Sequence, residues 1–244
     1  MPAPASLLNH LRTLGYIPRS SKHGDAMVQA VVEDLVMHCP RIASDVASGQ
    51  LVYRMNHKLQ IGTDSWKTDL AIGTPPHSGI PAVTNRIAGM PEAAPVHVRI
   101  AVEAKAVMTK HSGARRNRKR DLEAHHDHVH RYRPETIAAG LTMVNASRTF
   151  YSPVPPPGVR KHGPDAALGV VNVMREVSRS AGLGVAGIDA IGLLVVDMDN
   201  VNLPATRYVT RAPAPRPGDP LHWDTFIEDI CAAYAVRFPV SDYS

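Results

Sequence analysis

Apolar residues recur at helical spacing between Asp25 and Cys39, where Met27, Val28, Val31, Val32, Leu35 and Val36 form one stripe. The spacing predicts a buried helix there, with Pro40 as its stop. A shorter helix is expected over residues 5–16, ended around Gly15 and Pro18. Two strands are predicted next, over 51–61 and 66–72, separated by a turn signal at Gly62–Ser65 in which Asp64 reads as a turn residue. Residues 74–96 are rich in Pro and Gly and read as an excursion between strands. In 97–105, Val98, Ile100 and Val102 alternate with Arg99, Ala101, Glu103 and Lys105, the period of a third strand. A polar helix over 118–133, stopped by Pro134, and a buried strand over 138–146 follow. Residues 150–165 form a Pro-rich stretch too stiff and too long for a simple connector. A helix over 166–180, a glycine-rich joint over 182–187 and an apolar strand over 188–198 come next. After a second Pro-rich stretch, a closing helix over 221–237 carries Trp223, Phe226, Ile227, Ile230 and Tyr234 along one side. No internal repeat interrupts this order, so a single domain over 1–244 is expected, with loop excursions at 74–96 and 150–165.

Composition narrows the classes. A chain of 244 residues is long enough for a proper core, and its apolar share of 44% is that of a globular protein. The longest apolar runs fall far short of a membrane span, and the N-terminal residues lack the layout of a secretory signal. Cys39 and Cys231 sit in apolar, helix-like settings and are expected to be buried thiols, which suits a reducing cytoplasm. Aromatics make up only 5% of the chain, which disfavours a surface built from base-stacking rings. The segment from Lys110 to Arg133 holds eight Lys/Arg against three acids, which accounts for the whole net charge of +5. Alone it reads as a solvated basic helix; beginning five residues beyond Lys105, it also suits a phosphate backbone.

Candidate chemistry concentrates in the second and third strands. Glu103 and Lys105, two residues apart, share a strand face, and Asp69 lies in the short apolar strand that includes Leu70, Ala71 and Ile72. If the two strands pair, two carboxylates and a lysine converge where strands end or splay. Two carboxylates suit a hard divalent cation, and a lysine beside them suits a phosphate or an attacking hydroxide.

This order, an acid, a spacer and then Glu-x-Lys on a strand, resembles the PD-(D/E)xK nuclease superfamily, which includes many type II restriction endonucleases. The match lies at Asp69, Glu103 and Lys105; it departs at Thr68, where proline is common. The resemblance implies an α/β fold with a restriction-endonuclease-like αβββαβ core, a mixed central sheet flanked by helices. It implies Mg²⁺ held by Asp69, Glu103 and the carbonyl of Ala104, with Lys105 orienting water or stabilising negative charge. A helix glutamate reaches the metal in a subset of the family; Glu33 is the candidate, against an ordinary solvated acid. The resemblance further implies double-stranded DNA as partner, a homodimer, and a cytoplasmic restriction or defence role. Lys110, His111, Arg115, Arg116, Arg118, Lys119 and Arg120 are the expected nucleic-acid contacts.

Within the nuclease reading, RNA, or DNA at a repair or recombination junction, stays open as the substrate, and two readings of other classes stay open beside it. One is a non-catalytic nucleic-acid-binding protein. The other is a zinc hydrolase built on the histidines of 125–130, since His126 and His130 share a helix face. The arrangement lacks the glutamate of zinc proteases, so these histidines are expected to line a polar face toward solvent or nucleic acid. The glycines of 180–187 match neither a phosphate loop nor a dinucleotide fingerprint.

Overall fold

A computed structural model describes residues 4–14, 20–79, 84–152, 155–202 and 206–239. The chain opens with three helices, α1 (Ala5–Leu14), α2 (Lys22–His38) and α3 (Pro40–Ala47). The strands β1 (Val52–Ile61) and β2 (Asp64–Gly73) follow, then a small hairpin of β3 (Arg86–Ile87) and β4 (Met90–Pro91). Next come β5 (Val98–Val107), α4 (His111–Tyr132) and β6 (Ile137–Asn145). A second hairpin, β7 (Thr149–Ser152) and β8 (Gly158–Lys161), leads to α5 (Ala166–Arg175). The chain closes with β9 (Ala190–Asp197), β10 (Arg207–Tyr208) and α6 (Trp223–Arg237).

Six strands form one mixed sheet in the order β1-β2-β5-β6-β9-β10. The β1–β2 and β2–β5 pairs are antiparallel, whereas β5–β6 and β6–β9 are parallel. Period-2 alternation sends successive side chains to opposite faces of the sheet. Leu70, Ile72, Ile100 and Val102 pack with α1, α2 and α6. On the opposite face Ala71, Ala101 and Ala138 pack with Val129 of α4. Alanine at those three positions lets the polar α4 lie close to the sheet. Strand β6 is buried at every position, as expected of a strand in parallel pairing on both edges and covered on both faces.

The structure corrects several expectations. Pro40 does not simply end a helix; Cys39 is extended and Pro40 opens α3, where its missing N–H costs nothing. Asp64 belongs to β2, opposite Ile61, and the turn is only Gly62 and Thr63. Helix α4 starts at His111, seven residues before the expected boundary. Its first two turns are polar throughout and offer no apolar stripe to read. Within 150–165, β7 and β8 pair as a hairpin. Helix α5 ends at Arg175, and Arg179 bridges Ile188 instead of continuing it. The stop expected at Gly15 and Pro18 lies outside the described residues, as do 80–83 and 153–154 of the two excursions.

The expectation of free thiols is also overturned. Cys39 at the end of α2 and Cys231 in α6 form a disulfide with Cα atoms 5.4 Å apart. Helix packing across 192 residues of sequence brings them within bridging distance, which no local pattern reveals. Among the described residues no helix is long and apolar enough to cross a membrane.

Candidate active site

Pairing of β2 with β5 is fixed by Leu70↔Val102, Ala71↔Ala101 and Ile72↔Ile100. One step further along both strands, Asp69 comes opposite Glu103, where the ladder ends. The Ala104 N–H donates to Asp69 Oδ2 at 2.8 Å and holds that carboxylate at the sheet's splayed end. Lys105 Nζ forms an ion pair with Glu103 Oε1 and lies 3.9 Å from Asp69 Oδ2. The acid–acid–lysine set expected from sequence is therefore brought together in space.

The three groups differ in environment. Asp69 and Lys105 are partly open to solvent, while Glu103 is 4% exposed. Burial, followed by the negative charge of Asp69, pushes the Glu103 carboxyl up to about 7, and Lys105 offsets part of this. Its Oε2 atom is buried and has no hydrogen-bond partner. Beneath it lies His125, fully buried, with Nδ1 4.0 Å from Glu103 Oε2. Trp66 Nε1–H donates to His125 Nδ1 at 3.4 Å, and His125 Nε2 lies 3.2 Å from the Ala101 carbonyl. These partners assign the proton to Nε2, and burial lowers the ring's pKa to about 3, so the imidazole is neutral.

A cleft of about 590 Å³ opens over Asp69, Ala104 and Lys105. Its walls come from the start of α2 (Gly24, Asp25), from Asn56 of β1, from the segment Ala104–Lys110, and from Asn117 and Arg118 of α4. Gly24 packs near the Ala104 carbonyl, so the N-terminal end of α2 is the end that meets the site. Glu33 lies nine residues further along, about 13 Å at a helical rise of 1.5 Å per residue. It accepts a hydrogen bond from Ser6 Oγ at 2.6 Å, which draws it toward α1 and away from the cleft. Its neighbour Asp34 is the buried acid, and it takes the Trp223 indole N–H at 2.6 Å.

The expected nucleic-acid contacts divide among three places. Lys110 is exposed and lines the cleft together with Arg118, whose guanidinium also pairs with Asp121 at 2.6 Å. Arg115, Arg116, Lys119 and Arg120 line a second groove, of about 520 Å³, between α4 and α5. Lys119 is shared there with Glu123 and Glu176. His111 is not at the surface: it is 4% exposed, with Nε2 2.7 Å from the Asn145 carbonyl.

Two of the four histidines of 125–130 are buried. His125 and His126 join Leu122 and Val129 on the buried face of α4. His128 stacks on Trp66 with ring centroids 4.1 Å apart, and His130 Nε2 lies 3.1 Å from Asp189. The spacing 122, 125, 126, 129 is a helical stripe, and it was the signal that two of these histidines are inside. Asn56 and Asp25 had no sequence signal, because nothing local marks a strand residue or a helix start as part of a distant cleft. Comparison with family models, with curated proteins and with solved structures found no match to this chain.

Proposed function

We propose that the chain is a Mg²⁺-dependent endonuclease hydrolysing phosphodiester bonds of double-stranded DNA, in a type II restriction or defence role. The observation that carries this is the meeting of Asp69, Glu103 and Lys105, where Asp69 and Lys105 line the cleft and the buried Glu103 beside them has an oxygen without a hydrogen-bond partner. A buried carboxylate oxygen without a donor is costly. A divalent cation bound by the Asp69 and Glu103 carboxylates would offset that cost, so the donor types fit the ion. Support also comes from the element order α2, β1, β2, β5, α4, β6, with two antiparallel pairs followed by a parallel one. This order is compatible with the αβββαβ core of the superfamily that the sequence resembles.

Asp69, Glu103 and the Ala104 carbonyl would hold the ion, which when bound supplies a Lewis acid for the phosphate and a lowered pKa for water. The Ala104 N–H keeps Asp69 in place. Lys105 places its ammonium between both acids, where it orients the attacking water and balances charge that builds on the phosphate. Lys110 and Arg118, together on the α4 side of the cleft, contact the phosphate backbone. A homodimer that cuts both strands and a cytoplasmic location belong to the same proposal. The location rests on the restriction role alone, since the free-thiol argument is gone. Of the two histidines of the zinc alternative, His130 directs Nε2 at Asp189, and His126 is buried with Nδ1 3.2 Å from the Asp127 carboxylate.

The test is cleavage of plasmid and phage DNA with Mg²⁺ and with EDTA, comparing wild type with Lys105→Ala and Glu103→Ala. Discrete Mg²⁺-dependent bands are expected from wild type, with a loss of about a hundredfold or more in each variant. Salt-sensitive DNA binding by all three proteins without cleavage would overturn the enzyme in favour of a binding module.

A further inference from the structure

Among the described residues only two non-glycine positions have a left-handed backbone, Asn56 (φ +55°) and Ala88 (φ +47°). Ala88 has a local explanation. It precedes Gly89 (φ +85°) in the two-residue loop joining Ile87 to Met90, and such hairpin loops need positive φ at both positions. Asn56 has none. It lies in the middle of β1, with the ladder in register on both sides: Met55 pairs with Leu70 and His57 with Thr68. No residue is inserted, so Asn56 lies directly across from Asp69.

That position completes a row. Continued by one step, the β1–β2 and β2–β5 registers put Asn56, Asp69 and Glu103 in one row across three neighbouring strands. Adjacent strands are about 4.8 Å apart, so Asn56 flanks the two acids one strand further out. It lines the same cleft as Asp69 and Lys105 and is exposed at its rim. Its side chain makes no hydrogen bond among the described residues. A left-handed strand residue is uncommon, costs free energy, and clusters at ligand sites, where it re-aims a side chain. Asparagine tolerates this conformation better than most residues.

From register, backbone and cleft together, and resting on the endonuclease reading above, we infer that Asn56 is a substrate-contacting residue. Its amide N–H donates to a phosphate oxygen of the strand held against Asp69. An amide suits this place because it donates without adding a third negative charge beside Asp69 and Glu103. It grips the phosphodiester from the β1 side, opposite the Lys110 and Arg118 wall.

The experiment compares wild type, Asn56→Gly and Asn56→Asp in Mg²⁺-dependent cleavage of plasmid DNA, with thermal melting of each protein alongside. Glycine and aspartate both accept positive φ, so both variants keep the strand while removing the donor. The inference expects kcat/KM to fall by about tenfold or more in Asn56→Gly, the scale of one hydrogen bond to a charged group. It expects a larger fall in Asn56→Asp, whose carboxylate repels the phosphate, with melting of both within a few degrees of wild type. If Asn56 serves only the backbone, both variants cleave like wild type; that result overturns the inference and leaves the endonuclease reading standing. A wild type that cleaves none of the DNA overturns both.

Discussion

At the residue scale, Glu103 couples the site to pH. Its carboxyl is raised to about 7 by burial and by Asp69, against an ordinary value of 4.5. A raised acid binds its proton more tightly in the folded than in the unfolded chain. Metal-free stability from this group is therefore fully present below about pH 4.5 and declines as pH rises toward about 7. Glu103→Gln cannot ionise and lacks this dependence. Without metal, the stability of wild type relative to Glu103→Gln should fall by about 1–3 kcal/mol between those pH values, then stay flat. Thermal melts of both proteins in EDTA at pH 4.5, 6 and 8 measure it. A difference that does not change with pH would mean that Glu103 is an ordinary, solvated carboxylate. The opposite sign belongs to His125, whose lowered pKa removes stability as the medium becomes acidic. Wild type alone would thus show a mixture of the two, which is why the difference between variants is the informative quantity.

At the element scale, β2 positions Asp69, and its pairing with β5 changes register between Ile72 and Gly73. At that irregularity a Cβ on Gly73 would meet the His97 carbonyl oxygen at 2.0 Å. Backbone cannot yield as a side-chain tip does. Gly73→Ala is therefore expected to cost about 2–3 kcal/mol and to lower the melting temperature by about 4–12 °C for a domain of this size. It should also weaken cleavage, because the shift passes along β2 toward Asp69; a stable, fully active variant would show that the bulge has no hold on the site. Elements were legible wherever a side-chain period existed: the stripe of α2, the alternation of β5 and the apolar run of β9. They were misread where burial has no period, as in the polar first turns of α4, or where pairing is decided by a partner strand, as in β7 and β8. For the site, alternation placed Glu103 and Lys105 on one strand face, and the resembled motif added Asp69, so the three were legible once β2 was taken to pair with β5. Asn56 was not, since its role depends on a backbone angle, and Glu33 was misplaced because the helix meets the cleft with its other end.

At the scale of the whole molecule, the Cys39–Cys231 bridge ties α6 to the junction of α2 and α3, and so ties the C-terminal helix to the one whose far end walls the cleft. The two residues are 192 apart in sequence, so the bridge closes nearly the whole chain into one loop. A cross-link of this span removes much of the freedom of the unfolded chain and is worth about 2–4 kcal/mol in typical proteins. Cys39 is itself packed in the core, beside α2 residues such as Leu35. Replacing both cysteines therefore mixes lost packing with the lost link, whereas reduction leaves the packing atoms in place. The expectation is that the oxidised protein shows no thiol reactive to alkylation before unfolding, and that a reductant lowers its melting temperature by about 5–15 °C. Cleavage at temperatures well below the melt should survive reduction, because Asp69, Glu103 and Lys105 are held by the β2–β5 ladder rather than by α6. Two alkylatable thiols in the unfolded, unreduced protein would overturn the bridge and restore the free-thiol expectation. Loss of cleavage on reduction, with no change in melting, would instead mean that the bridge acts on the cleft through α2.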